Sequence, residues 1–374
     1  MSCQWSVKHL NFLLLIPCLF IATHVQAQEI APADLETFVD SVAMESIEKQ
    51  ASIGLSIGIA RGDQIVLAKG YGSADLELDV PATEKMVYRI GSITKQFTAA
   101  AILLLVEEGK IKLDDPLTKF LPDYPTQSHV VTLRHLLQHT SGIKSFTSLP
   151  NYRQLLSQNV THEDILARFK EMPFNFEPGT KFKYCNSGYY LLGMVIENVS
   201  ELSYDEFLQT RVFKPLKMNT TYYDKASPII PNRASGYSRW GGKLRNAGFI
   251  NMKQPFAAGA MASTVTDLIL WQRGLHNNSL LKPESYQLMT TRGTLSDGKA
   301  INYGLGTFIR KINGKQTIGH GGGITGFRSD LIYYPKLDLT IVVLANCDRT
   351  NPARISKQIA AHLIKSKTKN LEKP

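Results

Sequence analysis

Pairs of strand-like runs stand near both ends of this chain, with a long helical stretch between them, and that arrangement limits the fold more than any other feature. "IGLSIGIA" and "QIVLAKGYG" follow one another around the turn Arg61-Gly62-Asp63, which reads as a strand pair. Near the other end, "YGLGTFIRKI" and "KQTIGH" flank Asn313-Gly314, a favoured two-residue hairpin turn. "FRSDLIYY" and "LTIVVLANC" form another pair around Pro335-Lys336-Leu337-Asp338. From about Val80 to Arg292 the pattern is mostly helix and loop. "FTAAAILLLVEEGK" is apolar nearly all round, so it is expected as a buried helix. "TLRHLLQHTSGI", "YDEFLQTRVFKPL" and "TVTDLILWQRGL" are further helical pieces, and "PADLETFVDSVAMESIEKQ" and "ARISKQIAAHLIK" are helices flanking the strand regions. The economical packing is an α+β fold: one antiparallel sheet built from both termini and flanked by helices, with a mainly helical second region docked beside it. The expected division is residues 28–80 and 300–366 for the sheet region and residues 81–299 for the helical region.

Residues 1–27 stand apart from that fold. Lys8 and His9 precede the apolar run "LNFLLLIPCLFIA", and "THVQA" follows. A basic start, a short apolar core and a small residue before the cut are the parts of a secretory signal. Cleavage is expected after Ala27, with retention as an anchor the alternative, although the run is short for a membrane span. The protein is therefore expected to be exported, with the periplasm preferred because the signal looks bacterial. Cys3 and Cys18 leave with the signal. Cys185 and Cys347 are far apart and make no disulfide framework, so they read as free, buried thiols.

The formal net charge is +10, part of it in "KSKTKNLEKP". Residues 367–374 are expected as a disordered basic tail. No Lys/Arg run interleaved with aromatics points to nucleic acid, so no such partner is expected. A loose association with an anionic cell envelope fits the charge. There is no C-x-x-C, no H-E-x-x-H and no clustered His/Cys spacing, so neither a metal nor a cofactor is expected. Gly321 to Gly326 formally matches G-x-G-x-x-G. A dinucleotide site needs a helix after that motif, and here "FRSDLIYYP" reads as strand.

Three stretches carry chemistry. In "RIGSITKQF", Ser92 and Lys95 are three positions apart at the start of the buried helix, so hydroxyl and amine share a face. An apolar surrounding lowers an ammonium pKa and favours an amine that accepts a proton. The helix N-terminus turns its positive end to Ser92. In "KFKYCNSGYY", Tyr184 and Asn186 alternate with Cys185; in extended chain both then enter one cleft while the thiol points away. A phenol with its free pKa near ~10 is a poor base, but beside a lysine it can share a proton. In "IGHGGGITGF", His320 ends a strand and glycines follow, so backbone N–H groups can reach a substrate oxygen.

Together, Ser92-Ile-Thr-Lys95, Tyr184-Cys-Asn186 and His320-Gly321-Gly322 resemble the S-x-x-K, Y-x-N and [K/H]-x-G motifs of class C β-lactamases and the related penicillin-recognising serine hydrolases. That group includes D-Ala-D-Ala carboxypeptidases, D-aminopeptidases and β-lactamase-fold esterases. The resemblance extends from about Phe38 to Ala361 and takes in "IKLDDPLTKFLPDYP", "FEPGTKFKYCNSGYYLLG" and "AAGAMASTVTDLILW". It implies a β-lactamase/transpeptidase-like fold with its active site at the junction of the two regions. It also implies acyl transfer on a small-molecule or peptide substrate: a D-amino-acid peptide, an ester or a β-lactam. Ser92 is the implied nucleophile, with Lys95 and Tyr184 passing its proton to the leaving group. Asn186 would bind substrate or steady Lys95, and His320, Gly321 and Gly322 would support the substrate. The backbone N–H groups of Ser92 and Gly323 would form the oxyanion hole.

The third motif begins with histidine where class C β-lactamases usually have a lysine that helps hold the substrate carboxylate. Neutral imidazole is a poorer partner for that group, so His320 favours a D-amino-acid peptidase or an esterase over a true β-lactamase. An inactive cell-wall-peptide-binding protein is the reading from another class, and the presence of every motif residue speaks against it. Arg328 and Lys183 are possible carboxylate partners. "HTSGI", His139 to Ile143, reads as a structural turn, and the absence of G-x-S-x-G speaks against an α/β-hydrolase.

Overall fold

The computed structural model describes residues 1–2, 32–49 and 51–371. The expected signal therefore lies outside the described residues, apart from Met1 and Ser2. A seven-stranded antiparallel sheet runs in the spatial order Val80–Pro81, Gln64–Asp75, Gly54–Arg61, Leu339–Ala345, Phe327–Tyr334, Lys315–Ile324, Phe308–Ile312. The N-terminal and C-terminal strand groups meet where Leu55 pairs with Ala345 and Arg61 with Leu339. Asn313 and Gly314 form the expected two-residue turn, both at positive φ (50° and 73°), between the paired residues Ile312 and Lys315. That backbone twist matches the flanking strands.

Period-2 alternation divides the central strands between two cores. Leu55, Ile57, Ile59, Ile341 and Val343 face the helices Pro32–Glu48 and Pro352–Leu371, where they bury Leu35, Val39, Ile355 and Ile359. Val342 and Leu344 face the opposite way, into the larger core. Coverage on both faces explains why "LTIVVLA" is continuously apolar rather than alternating. Each such side chain contributes roughly 1.5–3 kcal/mol on burial.

The larger core is built round the helix Thr94–Glu107, whose residues are all buried from Thr94 to Leu105. Its polar residues are satisfied inside. Trp271 Nε1 donates to Gln96 Oε1 at 2.8 Å, and Thr98 Oγ1 donates to the Ala257 carbonyl at 2.7 Å. The helical region contains more strand than its sequence suggests. Tyr88–Arg89, Met261–Ser263 and Tyr222–Tyr223 form a small sheet, and Tyr237–Trp240 pairs with Lys243–Asn246. These strands are two to four residues long, too short to show a period of two. "TLRHLLQHTSGI" keeps only the helix Leu133–Leu137. The last helix continues to Leu371 and takes in part of the expected tail, through lysines that favour helix.

Candidate active site

The site forms where the buried helix begins against the edge of the sheet. Ser92 lies in the 3-10 turn Gly91–Ile93, which runs directly into the helix Thr94–Glu107. Gly91 has φ +51°, and a Cβ there would stand 2.8 Å from the Gly323 nitrogen. Only glycine lets this turn lie so close to the strand. The strand Lys315–Ile324 pairs with Phe308–Ile312 only as far as Gly319, while its pairing with Phe327–Tyr334 continues to Ile324. Its last residues thus keep one edge for the turn that carries Ser92. Gly322 abuts the Ile90 carbonyl, and Ser329 Oγ donates to the same oxygen at 2.8 Å.

Lys95 is 0% exposed. Its Nζ lies 3.1 Å from Ser92 Oγ, 2.8 Å from Asn186 Oδ1 and 2.7 Å from the Ala258 carbonyl oxygen. The Asn186 oxygen is oriented because the amide's nitrogen donates to Thr147 Oγ1 at 2.8 Å. Burial holds the Lys95 amine well below the usual lysine range. A neutral amine would spend its two N–H groups on the two carbonyl oxygens and leave its lone pair for the Ser92 hydroxyl.

Tyr184 is half-buried, with its ring centroid 4.8 Å from Lys95 Nζ. Burial pushes its phenol up, and a hydrogen bond with Ser92 offsets this in part. The phenol is therefore held protonated. Asn186 begins the helix Asn186–Ser200 and Cys185 precedes it in extended conformation. Tyr184 and Asn186 both reach Lys95, while Cys185 turns away, with its Sγ 3.3 Å from the Ile143 carbonyl. Cys185 and Cys347 are free and buried.

His320 is 3% exposed and faces inward. Its Nδ1 donates to the Gly321 carbonyl at 2.6 Å, and its Nε2 accepts from Tyr303 at 3.1 Å. Burial, and then the nearby Lys95, push its pKa down to about 3. It is a neutral imidazole among Tyr184, Tyr303 and Phe308. A cleft of about 320 Å³ opens over Ser92 and is lined by Asn186, Phe146, Arg153, Ile250 and Gly323 among others. Gly323 thus reaches this cleft, whereas His320 and Gly321 line a separate small hollow behind the strand.

Some contributors lack a sequence signal. Ala258 and Thr147 act through a carbonyl and a hydroxyl outside the three motifs, although Ala258 lies within "AAGAMASTVTDLILW". His139 does sit in a turn as expected, at φ +59° and 1% exposed, but that turn holds Tyr184. Its carbonyl accepts the Lys183 N–H at 2.9 Å, its Nδ1 accepts the Cys185 N–H at 3.0 Å, and its ring centroid lies 4.2 Å from that of Tyr184. Its Nε2 has no hydrogen-bond partner among the described residues.

Comparison with known proteins places the chain in one family. The family profile described as Beta-lactamase matches residues 37–365. The chain is 28% identical over 345 residues to Protein flp of Staphylococcus aureus (strain COL), covering 89% of this chain and 68% of that one. The octameric penicillin-binding protein homologue from Pyrococcus abyssi superposes with a TM-score of 0.76 at 31% identity, over 90% of this chain and 78% of its own. A D-stereospecific amidohydrolase from Streptomyces sp. superposes with a TM-score of 0.74 at 28% identity, over 87% and 97%.

Proposed function

The chain belongs to the β-lactamase family, and on that premise we propose that it is an exported active-site-serine hydrolase that cleaves D-amino-acid peptides or amides, or esters, through an acyl-enzyme. The observation that carries this reading is the setting of Lys95, a buried amine 3.1 Å from Ser92 Oγ with two carbonyl oxygens as its other neighbours.

Ser92 attacks the substrate carbonyl as Lys95 takes its proton. The N–H groups of Ser92 and Gly323 face the oxygen as it becomes negative; one such donor contributes on the order of 3 kcal/mol in other hydrolases. Tyr184, held protonated, gives its proton to the leaving group and recovers one from Lys95. Water then attacks the acyl-Ser92 ester by the same route in reverse. Asn186 fixes Lys95 in place.

The preference for peptide, amide or ester over β-lactam rests on His320. A neutral imidazole turned into the protein, with both nitrogens engaged, gives no cation to a β-lactam carboxylate. The D-stereospecific amidohydrolase among the similar structures supports the same choice.

The test is a kinetic panel of nitrocefin, p-nitrophenyl esters, D-amino-acid amides and D-Ala-D-Ala peptides, with Ser92→Ala as control. Turnover of esters, amides or peptides that is lost in Ser92→Ala is expected, with a slow-clearing adduct from fluorescent penicillin. Fast nitrocefin turnover would reject the preference. An unaltered rate in Ser92→Ala would reject the nucleophile.

A further inference from the structure

We infer that Arg153 selects substrates whose acyl part ends in a carboxylate. The inference rests on the serine-hydrolase reading above and names the substrate class for the same site. Arg153 is the one charged side chain among the described residues lining the cleft over Ser92. The other lining side chains are apolar or neutral: Phe146, Tyr152, Leu156, Ile250 and Ile324 give an apolar wall, and Thr147 and Asn186 are polar. Arg153 is exposed, and the hydrogen bonds and ion pairs of the described residues leave its guanidinium without a protein carboxylate. An unpaired guanidinium beside an apolar wall suits a ligand with an apolar stem and an anionic end.

The other cations near the site do not fill this role. Lys95 is buried and engaged with Ser92, Asn186 and Ala258. Arg328 turns back on its own chain, Nη1 donating to the Phe327 carbonyl at 3.0 Å, and Lys183 Nζ donates to Asn175 Oδ1 at 2.9 Å. Neither Arg328 nor Lys183 lines the cleft. His320 is uncharged. Carboxylate recognition therefore moves from the third-motif strand to the segment Tyr152–Leu155.

The acyl part, not the leaving group, is the part that reaches Arg153. Tyr184 delivers the proton to the leaving group, and Tyr184 does not line this cleft. The cleft holds what stays on Ser92. Its near wall is Asn186, and Thr147, hydrogen-bonded to Asn186, ties that wall to the segment carrying Arg153.

The test compares matched p-nitrophenyl esters that differ only at the far end of the acyl chain: hexanoate against the adipate half-ester, and octanoate against the suberate half-ester. The expected result is a higher kcat/KM for the half-ester in at least one pair. Arg153→Met should reduce that ratio about 10-fold, the effect of losing one partly solvated charge-assisted hydrogen bond, and Arg153→Glu should reduce it further. High salt should erode the ratio in the parent protein and not in Arg153→Met. A ratio that is the same in all three proteins for both chain lengths, with turnover still dependent on Ser92, overturns the role of Arg153 alone. No ester turnover, or turnover that survives Ser92→Ala, overturns the hydrolase reading and this inference with it.

Discussion

Two of the three groups around Lys95 Nζ, the Asn186 side-chain oxygen and the Ala258 carbonyl, can only accept hydrogen bonds. The third, Ser92 Oγ, can donate. In the proposed mechanism that asymmetry suits Lys95 to act as the base and Tyr184, whose phenol burial pushes up, to act as the relay. Lys95→Arg keeps a donor but stays cationic at every working pH. Its acylation by p-nitrophenyl esters should fall by roughly 10²–10⁴, read as the pre-steady-state burst. In the parent protein, kcat/KM should rise with pH through an ionisation well below the ordinary lysine value, because the reactive form is the neutral amine. A profile still climbing steeply at the ordinary lysine pKa would refute the neutral-amine mechanism. The S-x-x-K pair was legible because three-residue spacing on a helix fixes a shared face. The Ala258 carbonyl was not, because a backbone oxygen leaves no mark on residue choice.

The elements that bring these groups together meet without room to spare. A Cβ on Gly322 would lie 1.9 Å from the Ile90 carbonyl, a backbone atom that cannot rotate aside. Gly322→Ala should push the strand away from the Ser92 turn. Activity should fall by orders of magnitude, because the proposed oxyanion donors, the N–H groups of Ser92 and Gly323, sit on the two sides of that contact, while stability falls by only about 1–3 kcal/mol. Ester kinetics and thermal melting on the same preparation separate the two effects. His139 exerts a second constraint, with its carbonyl and Nδ1 holding the N–H groups on both sides of Tyr184. His139→Ala should lower kcat more than it raises KM, and His139→Asn, which keeps a side-chain acceptor, should restore part of the loss. The strand pairs, their turns and the buried helix could be read from period and turn residues. The small strands of the helical region could not, because they are held by tertiary contacts rather than by their own pattern. The role of His139 was hidden for a related reason: its sequence shows a turn, and only the fold shows what the turn grips.

For the molecule as a whole, a site built from buried neutral bases has a consequence for acid stability. His320 and His139 are 3% and 1% exposed, and burial lowers both pKa values, that of His320 to about 3. In the unfolded chain they titrate near ~6.5. As pH falls below that value the unfolded state takes up protons that the folded state refuses, so stability declines, by up to about 1.4 kcal/mol per pH unit for each histidine. For His320 the window closes at its folded value of about 3. Asp330 acts in the opposite sense. Burial raises its carboxyl to about 6, so between the ordinary aspartate value and about 6 it favours the folded state more as pH falls. Asp330 takes up at most one proton against the two of the unfolded histidines, so it reduces the decline below pH ~6.5 without reversing it. Urea unfolding at closely spaced pH values from neutral to mildly acidic should show this decline, and His320→Gln should make it shallower by His320's share, leaving those of His139 and of His276, whose pKa burial also lowers to about 3. Gln cannot take up a proton and retains a donor and an acceptor for the Gly321 carbonyl and Tyr303. An unaltered slope in His320→Gln would mean that His320 binds its proton as readily folded as unfolded. The neutral imidazole behind the third motif, and with it the argument against a cation at that position, would then fail together.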